Sequence, residues 1–156
     1  MKANISVLFL LLFGTASGVV AGSDFDRLKA LEGQWDATTP EGKTRITYHV
    51  ISNGTALMET IVSENMVSVY NADGNAILMT HYCAAGNQPR MRAQALRGNV
   101  MTFLYVDAAN LKSSADGHMH RLVITFKDAD HVTEEWTWKQ DGKETISAFQ
   151  LQRVKS

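Results

Sequence analysis

The sequence predicts an all-β protein, a closed antiparallel up-and-down β-barrel of about ten strands entered through one short N-terminal helix. Turn signals recur at short intervals, the stretches between them alternate apolar and polar residues, and neither an α/β alternation nor a longer repeat competes. A long antiparallel meander leaves its outer strands unpaired. Closure into a barrel removes those edges.

Ahead of the fold, residues 1–21 are expected to be a cleavable signal peptide. Lys2 supplies a positive start, Ile5 to Phe13 is an almost unbroken apolar run, and Val19-Val20-Ala21 offers small residues before Gly22. The run is too short to span a bilayer comfortably and no stop-transfer segment follows it. The expectation is an exported protein, periplasmic or secreted, with 22–156 as a single barrel domain. Its formal charge of −1, about −2 without Lys2, argues against nucleic acid or an anionic membrane as partner.

Ser23 to Leu31 reads as the helix, capped by Ser23 or Asp24, with Phe25, Leu28 and Leu31 at helical spacing. Strands follow near 34–39, 44–51, 55–62, 66–71, 76–83, 90–97, 99–107, 119–127, 131–139 and 143–153. Asn53-Gly54, Ala72-Asp73-Gly74-Asn75, Arg97-Gly98-Asn99 and Asp141-Gly142 are among the turns between them. Thr44, Ile46, Tyr48 and Val50 share one face while Arg45, Thr47 and His49 share the other. The long irregular stretch 108–117 suits a mobile loop at a barrel mouth.

Gly33-x-Trp35 after the helix, the run of antiparallel strands, and Arg153 near the end of the last strand together resemble the calycin superfamily of lipocalins, fatty-acid-binding proteins and their bacterial relatives. That resemblance implies a lipocalin-like barrel whose bottom is closed by the arginine lying across the tryptophan. Thr80–Cys83 and Asn87–Met91 are similar to segments of a group of exported bacterial proteins of unknown function. Ten strands are also similar to the haem-binding nitrobindin-like barrels, whose full glycine-rich N-terminal signature and C-terminal ligand histidine are not found here.

Four sets of residues are candidates for chemistry. His81 and Cys83, and His118 and His120, are each spaced to share one strand face, and imidazole with thiolate suits zinc or copper. The competing reading makes His81 a hydrogen-bonded pocket residue and Cys83, the sole cysteine, core filling. Asn87, Gln88 and Arg90, aimed by Pro89, offer a polar grip for a ligand head; equally, the amides can serve the turn and Arg90 lie solvated outside. Glu59 and Glu134 sit among apolar neighbours, so each must pair with an arginine, Arg90 or Arg92, or be neutralised by a raised pKa.

Trp136, Trp138, Tyr70, Phe103, Tyr105 and Phe149, with Met58, Met66, Met79, Met91, Met101 and Met119, are either plain core or the wall of a ligand cavity. The functional expectation is a binding protein for a small hydrophobic or amphipathic molecule, with His81, Cys83, Asn87, Gln88, Arg90, Tyr105, His120, Glu134 and Trp136 as ligand contacts. No cofactor is required. The alternative is a zinc, copper or haem protein or enzyme using His81, Cys83, His118 and His120; no nucleophile elbow or phosphate loop supports catalysis. Oligomeric state is left open.

Overall fold

The computed structural model describes residues 21–155; the expected signal peptide, apart from Ala21, lies outside the described residues. One helix, α1 (Ala21–Lys29), precedes ten strands: β1 (Gly33–Thr39), β2 (Gly42–Ile51), β3 (Ala56–Ile61), β4 (Met66–Asp73), β5 (Ala76–Tyr82), β6 (Gln88–Ala93), β7 (Val100–Ala109), β8 (His118–Phe126), β9 (His131–Gln140) and β10 (Lys143–Arg153). Each strand pairs antiparallel with its sequence neighbours, and β1 closes on β10 with Trp35 opposite Arg153. The predicted ten-stranded barrel is therefore the observed one. Among the described residues no helix is long and apolar enough to cross a membrane.

Most predicted strand limits fall within two residues of those observed. The largest departure is the strand expected to run to Arg97, which stops at Ala93. Beyond it regular pairing lapses, with only the Gln94 N–H to the Thr102 carbonyl and an isolated Arg97–Val100 bridge still tying the segment to β7, and the Leu96 backbone N–H donates to the Asp24 carboxylate at 3.2 Å. The described helix already includes Ser23 and Asp24, so the predicted caps fall inside it. Asp24 secures the segment after β6 instead. The Asn53-Gly54 turn is wrapped into a single 3-10 turn, with Ser52 and Asn53 at φ 52°.

The helix plugs one end of the barrel. Phe25, Leu28 and Leu31 are buried against the core, each contributing on the order of 1.5–3 kcal/mol by removal from water. Above them Trp35 donates from Nε1 to the Leu31 carbonyl at 2.8 Å, and the Arg153 guanidinium lies 4.2 Å from the indole centroid. The guanidinium also donates to the carbonyls of Ala30 (2.7 Å) and Glu32 (2.7 Å), just past the end of the helix, and of Ala129 (3.0 Å) in the β8–β9 turn. The contact implied by the calycin resemblance is thus present. The opposite end, bearing the β1–β2, β3–β4, β5–β6, β7–β8 and β9–β10 connections, has no helix over it among the described residues.

Candidate functional site

Strand alternation and register bring a row of polar side chains onto the inward face at the barrel's waist. Tyr48 on β2 pairs with Glu59 on β3, Glu59 with Ser68 on β4, and Ser68 with His81 on β5. All four are buried. From the opposite wall β9 contributes Glu134 and Trp136, also buried.

The two walls are joined across the lumen. The Tyr48 hydroxyl donates to Glu134 Oε1, Trp136 Nε1 donates to Glu134 Oε2 at 3.1 Å, and the Tyr70 hydroxyl donates to Glu59 Oε2 at 2.6 Å. Ser68 Oγ and His81 Nδ1 are 3.0 Å apart, and the His81 ring lies against the Trp136 ring with centroids at 4.9 Å. Two polar atoms in this belt face no hydrogen-bonding partner, Glu59 Oε1 and His81 Nε2.

Burial sets the protonation of the belt. It pushes the Glu59 carboxyl well above the usual carboxylate range, the nearby Glu134 charge adds to this, and donation from Tyr70 and Ser68 only partly offsets it. Glu134 is also raised by burial, with Tyr48 and Trp136 donating to it and holding it down. Two neighbouring buried carboxyls oppose each other's ionisation, so both titrate above the usual carboxylate range, with Glu59 raised well above it. Burial also lowers His81 from 6.5 to about 4, so the imidazole is neutral.

Above the belt lies an open cup of about 190 Å³ at the unplugged end. Its apolar lining is Ile61, Met66, Met119, Trp136 and Phe149, with Glu41, Glu64 and hydroxyl residues including Ser147 making up the rest. Ile61, Met66 and Trp136 each stand two residues from a belt residue on the same strand face, over Glu59, Ser68 and Glu134. Trp136 links the two levels, since it lines the cup, donates to Glu134 and covers His81.

The remaining predicted site residues lie elsewhere. Arg90 is exposed and holds Asp107 through two bonds of 2.5 Å, and Arg92 lies 3.8 Å from Asp73. The expected pairing of either arginine with Glu59 or Glu134 is therefore corrected: alternation on β6 turns both arginines outward. Gln88 bonds to the Gly86 carbonyl and accepts from Asn110, and with Arg90 it borders an outer groove rather than the cup. Asn87 is buried and donates to the Gly117 carbonyl at 2.8 Å, tying the β5–β6 turn to the loop before β8. Within that loop Asp116 accepts from the backbone N–H groups of Lys112 and Ser113.

The two histidine pairs occupy separate places. His81 is enclosed at the waist, and Cys83 is half-buried against the core with its thiol pKa raised by burial. His118 and His120 bond to one another at 3.2 Å and pack on Tyr105, with ring centroids at 4.8 and 4.9 Å. Irregular register between Met119 and Arg121 on β8 and between Arg90 and Met91 on β6 accompanies this grouping. Among the described residues no three of His, Cys, Asp or Glu gather as a metal-holding group. Met58, proposed for the cavity wall, pairs with exposed His49 on the outer face.

Tyr48 and Ser68 were missed as site residues. The alternation Met66, Ser68, Tyr70 already turned Ser68 inward, and Tyr48 was placed with Ile46 and Val50 on the apolar face. What alternation does not give is the partner across the lumen.

No protein-family model matches this chain, and no curated protein matches it. Among solved structures, a redesigned beta barrel is similar at 13% identity and a TM-score of 0.37, over 81% of this chain and 94% of that chain.

Proposed function

We propose that this chain is an exported, calycin-like binding barrel that takes one small apolar or amphipathic molecule into its open cup. The observation carrying this reading is an apolar cup directly over a buried polar belt in which Glu59 Oε1 and His81 Nε2 have no partner. Buried polar atoms are ordinarily bonded, and orphans beneath an apolar opening suit a ligand's polar end. The size of the cup favours a compact molecule over a long lipid. Periplasmic or secreted location belongs to the same proposal, on the strength of the N-terminal sequence.

The test is to purify the chain without its leader and titrate it with the neutral fluorophore N-phenyl-1-naphthylamine, alongside native mass spectrometry for co-purified molecules. Saturable fluorescence enhancement, lost in Ser147→Phe where the new ring fills the cup, supports the reading. Absence of both saturable binding and a co-purified molecule sinks it. Stoichiometric zinc, copper or haem in the native spectrum would move the protein to the metal class.

A further inference from the structure

The belt is rich in acceptors and poor in free donors. The protons of Tyr48, Tyr70 and Trp136 are already directed at the two carboxyls. Ser68 Oγ lies 3.0 Å from His81 Nδ1, and His81 Nε2 is without a partner among the described residues. Glu59 Oε1 has only the neighbouring carboxyl to turn to, with which it must share a proton. No lysine or arginine is found among the buried polar and charged residues described, and Arg153 is committed at the plugged end.

We propose, building on the binding reading above, that the ligand is a small apolar amine whose ammonium head passes from the cup to the Glu59–His81–Glu134 belt. The head donates N–H bonds to Glu59 Oε1, in place of the proton that atom shares with Glu134, and to His81 Nε2, the imidazole holding its own proton on Nδ1 towards Ser68. It replaces the proton shared by the carboxyls, which leaves to solvent, so one positive charge enters as one departs. The face of Trp136 borders the route and attracts a cation through its ring quadrupole. The distance is short, because the belt lies one strand repeat, roughly 7 Å, beneath the cup residues. A carboxylate head would instead meet two buried carboxyls and no buried cation, and an alcohol would offer a single donor to two acceptors.

The experiment is calorimetric titration of the wild-type chain at neutral pH with hexylamine, hexanol and hexanoate, repeated in buffers of different ionisation enthalpy. Hexylamine is expected to bind at least about tenfold more tightly than hexanol, with about one proton released per amine and no measurable hexanoate binding. Glu59→Gln, its folding checked by a cooperative urea-unfolding transition, is expected to lose about tenfold for hexylamine. If hexanol or hexanoate matches hexylamine, or no proton is released, the amine assignment falls and the binding barrel stands. If none of the three binds, the cup is not a small-ligand site and the underlying reading falls too. Should Glu59→Gln not fold, the ranking of the three heads on wild-type protein decides alone.

Discussion

The His81 imidazole and the Trp136 indole lie against one another across the barrel, their centroids 4.9 Å apart and their planes inclined at 42°. Trp136 thereby packs beside a histidine that has one nitrogen on Ser68 and the other unpartnered. The enclosure makes His81 costly to protonate. Its pKa, about 4 against 6.5, is the result.

Two buried groups therefore pull stability in opposite directions with pH. His81 binds fewer protons folded than unfolded, so its contribution is complete above pH 6.5 and is lost as pH falls towards 4. Glu59 has its folded pKa raised above 4.5, so its contribution is complete below that value and is lost as pH rises through the folded value. Between about 4.5 and 6.5 the two slopes oppose each other. Glu59→Gln removes one of them. Its urea-unfolding free energy is expected to climb by up to about 3 kcal/mol from pH 4 to pH 6.5, while the wild type stays flatter. Equal slopes in the two proteins would contradict the protonation pattern described.

Tyr48→Phe deletes the hydroxyl that reaches Glu134 from across the barrel, leaving Trp136 as that carboxyl's remaining side-chain N–H donor. A bond to a charged buried acceptor is worth about 1.5–3 kcal/mol. Urea unfolding at neutral pH should show a loss of that order with an unchanged denaturant slope. A loss under about 0.5 kcal/mol would mean that Glu134 is not ionised there.

Much of the fold was legible because it is written locally. Inward and outward faces follow from alternation within one strand, and Gly33-x-Trp35 with Arg153 marked the plugged end. The site was less legible because its decisive contacts are non-local. Tyr48 and Glu134 are separated by 86 positions, and nothing in either strand says which side chain it meets across a lumen. The register irregularities on β6 and β8 further detach the grouping of Tyr105, His118 and His120 from simple alternation. Arg90 shows the reverse case: alternation on its strand sufficed to turn it outward, and its cluster with Asn87 and Gln88 was a neighbourhood in sequence alone.

Arg153 closes the plugged end by geometry as much as by charge. It stacks on Trp35 and directs its planar fork at three carbonyls. Arg153→Lys keeps the charge but not the fork, and is expected to lose about 2–4 kcal/mol, nearly as much as Arg153→Ala. Gly33→Ala strikes the same contact from the other side, since Gly33 has φ +124° and an added Cβ would stand 3.3 Å from Arg153 Nη1. Thermal melts of the three variants check this. Full rescue by lysine would show that charge alone matters.

Asn87 and Gly117 hold the loop between β7 and β8 over the open end, so they provide a test of whether that loop is fastened. Asn87→Ala removes the bond to the Gly117 carbonyl, at a cost of about 1 kcal/mol. Amide exchange across residues 110–117 should quicken, although the Lys112 and Ser113 amides keep Asp116 as acceptor and should change less. Gly117→Ala acts through packing: its Cβ would lie 2.0 Å from Trp138 Cζ2, so the half-buried indole must swing outward. That displacement should cost about 1–3 kcal/mol and red-shift tryptophan emission. An unshifted spectrum with unchanged stability would show that Trp138 does not rest on Gly117 in solution.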